Sequence, residues 1–174
     1  MPSVRDARPA DLDALVQLEL SCFPAEDAFS RRQYRGLLAN PRASVRVIRQ
    51  GGAVVASAVL LRRGSAVRKP VRPRTTREPG LPSRPRPPHS ARLYSIAVSP
   101  DCRGQGLGQK LLADVIRLCR SEGVRRLHLE VRFANEAAIA LYRKFGFEID
   151  RHLPHYYGHR QHGVKMAVSL GGPA

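Results

Sequence analysis

The chain has 174 residues, 43% of them hydrophobic, enough to bury the core of one ordinary domain. No apolar run approaches the length that crosses a bilayer, and the N-terminus lacks a basic-then-apolar signal, so a cytoplasmic protein without a membrane partner is expected. The formal net charge is +16, a field that suits phosphates, acidic peptides, RNA or the ribosome, yet no RNP, KH or zinc-finger signature supports specific nucleic-acid binding.

From the N-terminus, Val4–Ala7 reads as a short strand, and Asp11 as the cap of a helix with apolar positions Leu12, Leu15, Leu18 and Cys22. Pro24 ends it. Ser30-Arg31-Arg32-Gln33 is a capping box opening a second helix through Tyr34, Leu37 and Leu38, which stops at Asn40-Pro41. Ser44–Arg49 and Ala53–Leu61 form two strands joined by the hairpin signal Gln50-Gly51-Gly52. The next stretch is different in kind. Arg62 to Arg92 carries ten basic residues and one acidic residue, Glu78, and Arg68–Ser90 holds seven prolines with almost no apolar anchor. Such a segment cannot bury enough surface to offset its ordering entropy. The reading is one domain over 1–174, with a disordered Pro/Arg-rich insert at about 67–90 between two strands.

Leu93–Val98 is a β-rich run that feeds a Pro-Asp turn and then Arg103-Gly104-Gln105-Gly106-Leu107-Gly108. Glycines at alternate positions let the backbone turn with its N–H groups facing one point. The helix that follows aims its own unpaired N–H groups and positive dipole end at the same point, which makes an anion site for a phosphate or pyrophosphate. A P-loop is excluded, because no Gly-Lys-Ser/Thr follows, and a dinucleotide fingerprint fails on spacing: its third glycine would fall on Gln109 or Leu111. Glu130, about twenty residues on, is therefore not a ribose-binding acid.

The helix after the loop carries Leu107, Leu111, Leu112, Val115, Leu118 and Cys119 on one side and ends near Gly123. In Val124–Arg132, Leu127, Leu129 and Val131 share one face, and His128 and Glu130 the other. Asn135 caps a helix with Ala138, Leu141, Tyr142 and Phe145 on its buried side, and Val164–Leu170 closes the chain as a strand. Cys22, Cys102 and Cys119 have no metal spacing and read as packed or turn residues.

The loop resembles the phosphate loop of the GNAT family of acetyl-CoA-dependent N-acetyltransferases, Arg/Gln-x-x-Gly-x-Gly/Ala, here Arg103, Gly106 and Gly108. A second match, Leu127–Phe147, resembles the catalytic half of the same fold, and the subgroup it is most similar to is the bacterial ribosomal-protein-alanine N-acetyltransferases. The resemblance implies an α/β fold, a single mixed and mostly antiparallel sheet flanked by helices. It implies acetyl-CoA as cosubstrate, no metal, and direct attack by an amine in a ternary complex. Gly104–Gln109, including Gln105, Leu107 and Gly108, would bind the pyrophosphate. Backbone groups of Ile96, Ala97 and Val98 would hold the pantetheine arm, with the Val98 N–H polarising the thioester carbonyl. Asn135 would hydrogen-bond that arm as well as cap its helix. Glu130 would be the general base and Tyr142 the acid that protonates the departing thiolate. As a purely structural alternative, Glu130 could be salt-bridged to Arg132 or Arg125.

The acceptor implied is a primary amine, most naturally a protein N-terminal α-amine, with a ribosomal protein or the ribosome as partner; a small-molecule amine or a non-catalytic acyl-CoA-binding module are the alternatives. An α-amine, with a pKa near 8 against 10.4 for lysine, has roughly 250-fold more of its neutral form at a given pH. The resembling N-terminal acetyltransferases carry a Tyr-Tyr pair and then Asp-Ala before the last strand. Here Tyr156 and Tyr157 match, whereas His162 and Gly163 stand at the later positions, with His162 a candidate substrate-binding residue.

Overall fold

The structure, a computed structural model, describes residues 3–63 and 90–171. Its elements in chain order are β1 (Val4–Asp6), α1 (Leu12–Cys22), α2 (Arg31–Ala39), β2 (Ala43–Gln50), β3 (Ala53–Arg63), β4 (Ser90–Val98), α3 (Leu107–Ser121), β5 (Arg126–Arg132), α4 (Glu136–Lys144), β6 (Glu148–Leu153) and β7 (Gly163–Ser169). They build one mixed sheet in the order β1-β2-β3-β4-β5-β7-β6, antiparallel everywhere except at β4–β5. The expected insert lies outside the described residues apart from Ser90, which opens β4 and pairs with Arg63.

Strand alternation sends side chains to two cores, one on each face of the first half of the sheet. Val45, Val47 and Val59 pack with Leu15 of α1 and Tyr34 of α2. Ile48, Ala56, Ala58 and Leu60 pack on the other side against Leu111, Leu112 and Val115 of α3. Arg46 points to that second face and meets the buried Asp114 of α3 at 2.7 Å, which pins α3 to β2. The apolar stripe expected on α3 is buried, joined by Ile116, except that Leu118 is only half-buried.

The local signals act in different ways. The Ser30 hydroxyl accepts the Gln33 backbone N–H at 3.3 Å and the Gln33 side-chain oxygen Oε1 accepts the Ser30 N–H at 2.8 Å, so the capping box forms as read. Asp11 does not cap α1 through its side chain. A single 3₁₀ turn, Pro9–Asp11, intervenes, and its carboxylate turns back to accept the Arg8 N–H at 2.8 Å and to pair with Arg49.

β4 and β5 run parallel for only three residues, Ser90–Arg92 against Arg126–His128. Beyond Arg92 the strands part. A register shift in the β3–β4 ladder leaves Tyr94 as the extra residue between Leu93 and Ser95, a bulge that bends β4 as it leaves its neighbour. β5 continues instead along β7 through Arg132. The result is a wedge-shaped gap in the sheet, bounded by the second half of β4 on one side and by β5 and α4 on the other.

A buried hydrogen-bond array sits under this gap. Glu19 of α1 is 1% exposed, and its carboxylate accepts the Tyr34 hydroxyl at 2.7 Å and lies 3.4 Å from the Ser95 hydroxyl of β4. Burial raises the Glu19 pKa against the lowering effect of these donors. Tyr34→Phe removes one donor from a buried carboxylate while keeping the ring's packing. Urea unfolding should show about 1.5–3 kcal/mol less stability than wild type; an unchanged midpoint would mean the bond contributes nothing net.

Candidate active site

The wall of the gap is a strand edge with its backbone turned outward. Ser99 N–H donates to Val55 O of β3, and Ala97 pairs with Ser57. Backbone groups of successive residues in an antiparallel ladder point alternately to opposite sides, so those of Ile96 and Val98 face away from β3. The Val98 carbonyl accordingly takes its partners from elsewhere, the Cys22 thiol at 3.3 Å and the Arg103 Nε at 3.4 Å. Ala97, expected beside Ile96 and Val98, has its side chain buried in the core and lines neither cavity described below. The same alternation that exposes its neighbours turns it inward.

At the end of β4 the chain makes a 3₁₀ turn, Pro100–Cys102, and enters the glycine loop. Gly104 and Gly106 have φ of +77° and +73°, the left-handed region where a side chain is strained. Gly106 is the N-cap of the 15-residue α3, so the loop and the first turn of the helix present free N–H groups together. Gly108 is different: its conformation is ordinary, and a Cβ there would touch Leu141 Cδ2 at 3.5 Å. Gln105 turns aside, its side-chain oxygen accepting from Gln50 Nε2 at 3.1 Å.

A cavity of about 590 Å³ follows from these pieces. Ile96 and Val98 of β4, Arg103, Gly104 and Gly106 of the loop, and Leu107, Gly108 and Gln109 of α3 form one side. Asn135, Ala138, Leu141 and Tyr142 of α4 form the other. Ala138 and Leu141, read from periodicity as buried, are half-buried because they face this cavity. Asn135 caps α4, its side-chain oxygen accepting the Ala138 N–H at 3.1 Å, and lines the cavity as well.

A second cavity of about 450 Å³ continues from the first; Cys22, Phe23, Ile96, Asn135, Ala138 and Tyr142 border both. Its remaining walls come from Glu19, Asp27 and Phe29, from Arg92, Tyr94 and Ser95 of β4, from Glu130, Val131 and Arg132 of β5, and from Tyr156 and Tyr157. Tyr142 therefore stands at the junction, 8% exposed, with burial raising its pKa so that the phenol keeps its proton. Tyr157 is pushed up to about 12 by burial and by the neighbouring Tyr156 and Glu130.

Glu130 is ion-paired, but not with the partners that its own strand offers. Its Oε2 lies 2.6 Å from Arg92 Nε across the mouth of the wedge, two residues beyond His128, the last residue of β5 paired to β4. Arg132 is held by Asp27 of the α1–α2 connection and lies over the Tyr157 ring, 4.6 Å from its centroid. His128, two residues before Glu130, is buried, and desolvation with the nearby Lys165, Arg63, Arg92 and Arg126 pushes its pKa down to about 4, so it is neutral.

Gly163 is buried, and a Cβ on it would stand 2.8 Å from Tyr157 Cε2, closer than carbon atoms approach. The glycine at this position lets the Tyr157 ring seat against β7 and into the second cavity. His162 lines neither cavity; it is exposed, and its Nδ1 accepts the His155 N–H at 3.3 Å. Glu19, Phe23, Arg92 and Tyr94 were not singled out from the sequence, and Cys22 was read there only as a packed residue. Only Glu19 left a signal there, as a carboxylate four residues after Leu15, beside the apolar stripe of its helix.

The profile of the acetyltransferase (GNAT) family matches residues 12–147. The N-alpha-acetyltransferase RimI of Mycobacterium tuberculosis is 32% identical over 139 residues, 80% of this chain and 73% of the relative. The ribosomal protein bS18-alanine N-acetyltransferase of Escherichia coli strain K12 is 48% identical over 83 residues, 46% of this chain and 56% of that protein. Among solved structures, the crystal structure of the ribosomal-protein-S18-alanine N-acetyltransferase from Escherichia coli superposes with a TM-score of 0.78 at 26% identity, covering 100% of this chain and 97% of that one. The glycine loop, the parted strands and these likenesses agree: the chain belongs to the GNAT family and is an acetyl-CoA-dependent N-acetyltransferase.

Proposed function

We propose that the acceptor is the α-amine of a protein N-terminus, and that the two cavities receive donor and acceptor from opposite sides of the split sheet. The observation that carries this reading is the continuity of the cavities at Tyr142, with Glu130 on the acceptor side and the outward backbone of Val98 on the donor side. Relatives named as ribosomal-protein-alanine N-acetyltransferases and as an N-alpha-acetyltransferase support it, and a ribosomal protein is the partner we propose. Three free cysteines among the described residues suit the reducing cytoplasm, where we place the reaction.

Acetyl-CoA brings the acetyl group as a thioester. The N–H groups of Gly104–Gln109 and the dipole of α3 hold its pyrophosphate, with Arg103 adding positive charge. Ile96, Val98 and Asn135 bind the arm, and the Val98 N–H holds the carbonyl oxygen as negative charge develops there. Glu130 accepts the proton of the α-ammonium on Oε1, because Oε2 is buried against Arg92. Tyr142, protonated and at the junction, gives its proton to the leaving sulfur. Tyr156 and Tyr157 form the acceptor wall, and we assign His162 no contact with substrate.

Gly106→Ala forces a side chain into the left-handed region and should cost about 1–2 kcal/mol of stability, while also weakening coenzyme A in calorimetric titration. Gly108→Ala should leave stability within about 0.5 kcal/mol and weaken coenzyme A alone. Equal effects of the two variants on stability would contradict the loop geometry. Glu130→Gln and Tyr142→Phe should each lower kcat by about 10²-fold on an N-terminal peptide, with coenzyme A affinity retained. Turnover within a few-fold of wild type for both would remove them from the chemistry.

A further inference from the structure

Arg92 occupies an unusual position for a guanidinium. It is the last residue of β4 that is paired to β5, and its side chain, 20% exposed, reaches into the acceptor cavity. The group is fixed on three sides. Its carbon sits 4.1 Å from the centroid of the Tyr94 ring, its Nη2 donates to the Tyr156 hydroxyl at 3.2 Å, and its Nε lies against Glu130. The contact with Glu130 is close but badly aligned: Arg92 Nε and Glu130 Oε2 are both buried, and neither has hydrogen-bond geometry with any partner among the described residues. A guanidinium has five N–H donors, and among the described residues one of them makes a well-formed bond. Its orientation is set before any ligand arrives, so little rotamer entropy is lost when one binds.

Charge balance then bears on what enters. The Arg92–Glu130 pair is neutral, and so is Arg132 with Asp27. Glu19, on the opposite wall, is already engaged by the hydroxyls of Tyr34 and Ser95. An α-ammonium brought to Glu130 competes with Arg92 for that carboxylate. A second carboxylate close to the ammonium gives the guanidinium a partner again, and Arg92 has donors facing the cavity to receive it.

We propose that Arg92 is a specificity residue of the acceptor site, selecting N-terminal peptides that carry Asp or Glu at the first or second residue and rejecting those with Lys or Arg there. The proposal rests on the N-terminal α-amine reading above and names the class of peptide within it. Tyr94, by stacking on the guanidinium, and Tyr156, by accepting from it, hold the reader in place. The positive field of the whole chain acts in the same direction.

The test is kcat/KM for a set of peptides identical except at the first two positions, with Asp, its neutral isostere Asn, or Lys at each in turn. Wild type should prefer Asp over Asn by about tenfold at one of these positions, and Lys should fall below Asn. In Arg92→Met the Asp/Asn ratio should drop to within about twofold, and Arg92→Lys should keep part of it, since it keeps the charge and loses the fork. The ratio is internal to each variant, so a general loss of activity through Glu130 leaves it readable. An Asp/Asn ratio near one in wild type, or the same ratio in Arg92→Met, overturns the proposal while the N-terminal acceptor stands. Acetylation of none of the peptides, with transfer to lysine side chains or small amines instead, overturns both.

Discussion

Two strands that pair for three residues and then separate are the constraint on which the site depends. A parallel pair buried in the middle of a sheet normally keeps its ladder closed, because an unpaired backbone N–H or C=O inside a protein is costly. Here β4 leaves β5 after Arg92, and the groups thereby released on Ile96 and Val98 become the lining of a cavity. The bulge at Tyr94 turns β4 away, the antiparallel ladder to β3 keeps it rigid, and β5 is held on its far side by β7. The opening is thus built from well-supported strands on both flanks. Rigidity matters for chemistry that relies on positioned donors, because they do not have to reorganise as charge develops.

Everything functional is arranged around that wedge in order of depth. The glycine loop and α3 begin where β4 ends, so the outward N–H groups of the loop sit at one mouth. Tyr142 reaches the junction from α4, whose cap Asn135 comes three residues after the end of β5. At the other mouth, charges are matched in pairs across elements: Arg92 to Glu130 between β4 and β5, Arg132 to Asp27 between β5 and the α1–α2 connection. These pairs close the sheet's split with electrostatics where hydrogen bonds have been given up. They also leave two oriented guanidinium groups facing the second cavity. One is covered by the Tyr157 ring, which fits because residue 163 is glycine; the other is seated between Tyr94 and Tyr156.

What the sequence revealed followed the range of the interactions. The glycine loop is a local device: the positive φ of Gly104 and Gly106 and the helix start at Leu107 are decided within a few residues, and they were legible. The apolar stripe of α3 and the Ser30 capping box belong to the same class. The Glu130 pairing was not legible, because nothing near Glu130 in the chain distinguishes Arg92 from Arg132 or Arg125; only the β4–β5 register does. Ala97 illustrates the limit of assigning three successive backbone positions at once, since pleat alternation lets only every second one face the gap. Asp11 shows a short polar side chain with two nearby uses, in which the bond back to Arg8 took precedence over the helix cap. Glu19 left a position beside its helix's apolar stripe as a signal, but its burial becomes clear only once Tyr34 and Ser95, fifteen and 76 residues away, are seen to meet it.

The central claim is that the donor occupies the wedge between β4 and α4 with its phosphates on the glycine loop. Amide NMR of isotope-labelled protein titrated with coenzyme A tests it most directly. Saturable shifts at Gly104–Gln109, Ile96, Val98 and the Asn135 side-chain amide, with little change at the β1–β2 edge, are the predicted result. Shifts centred on Tyr156–His162 or on the outer strands, with the loop amides unmoved, would contradict the account.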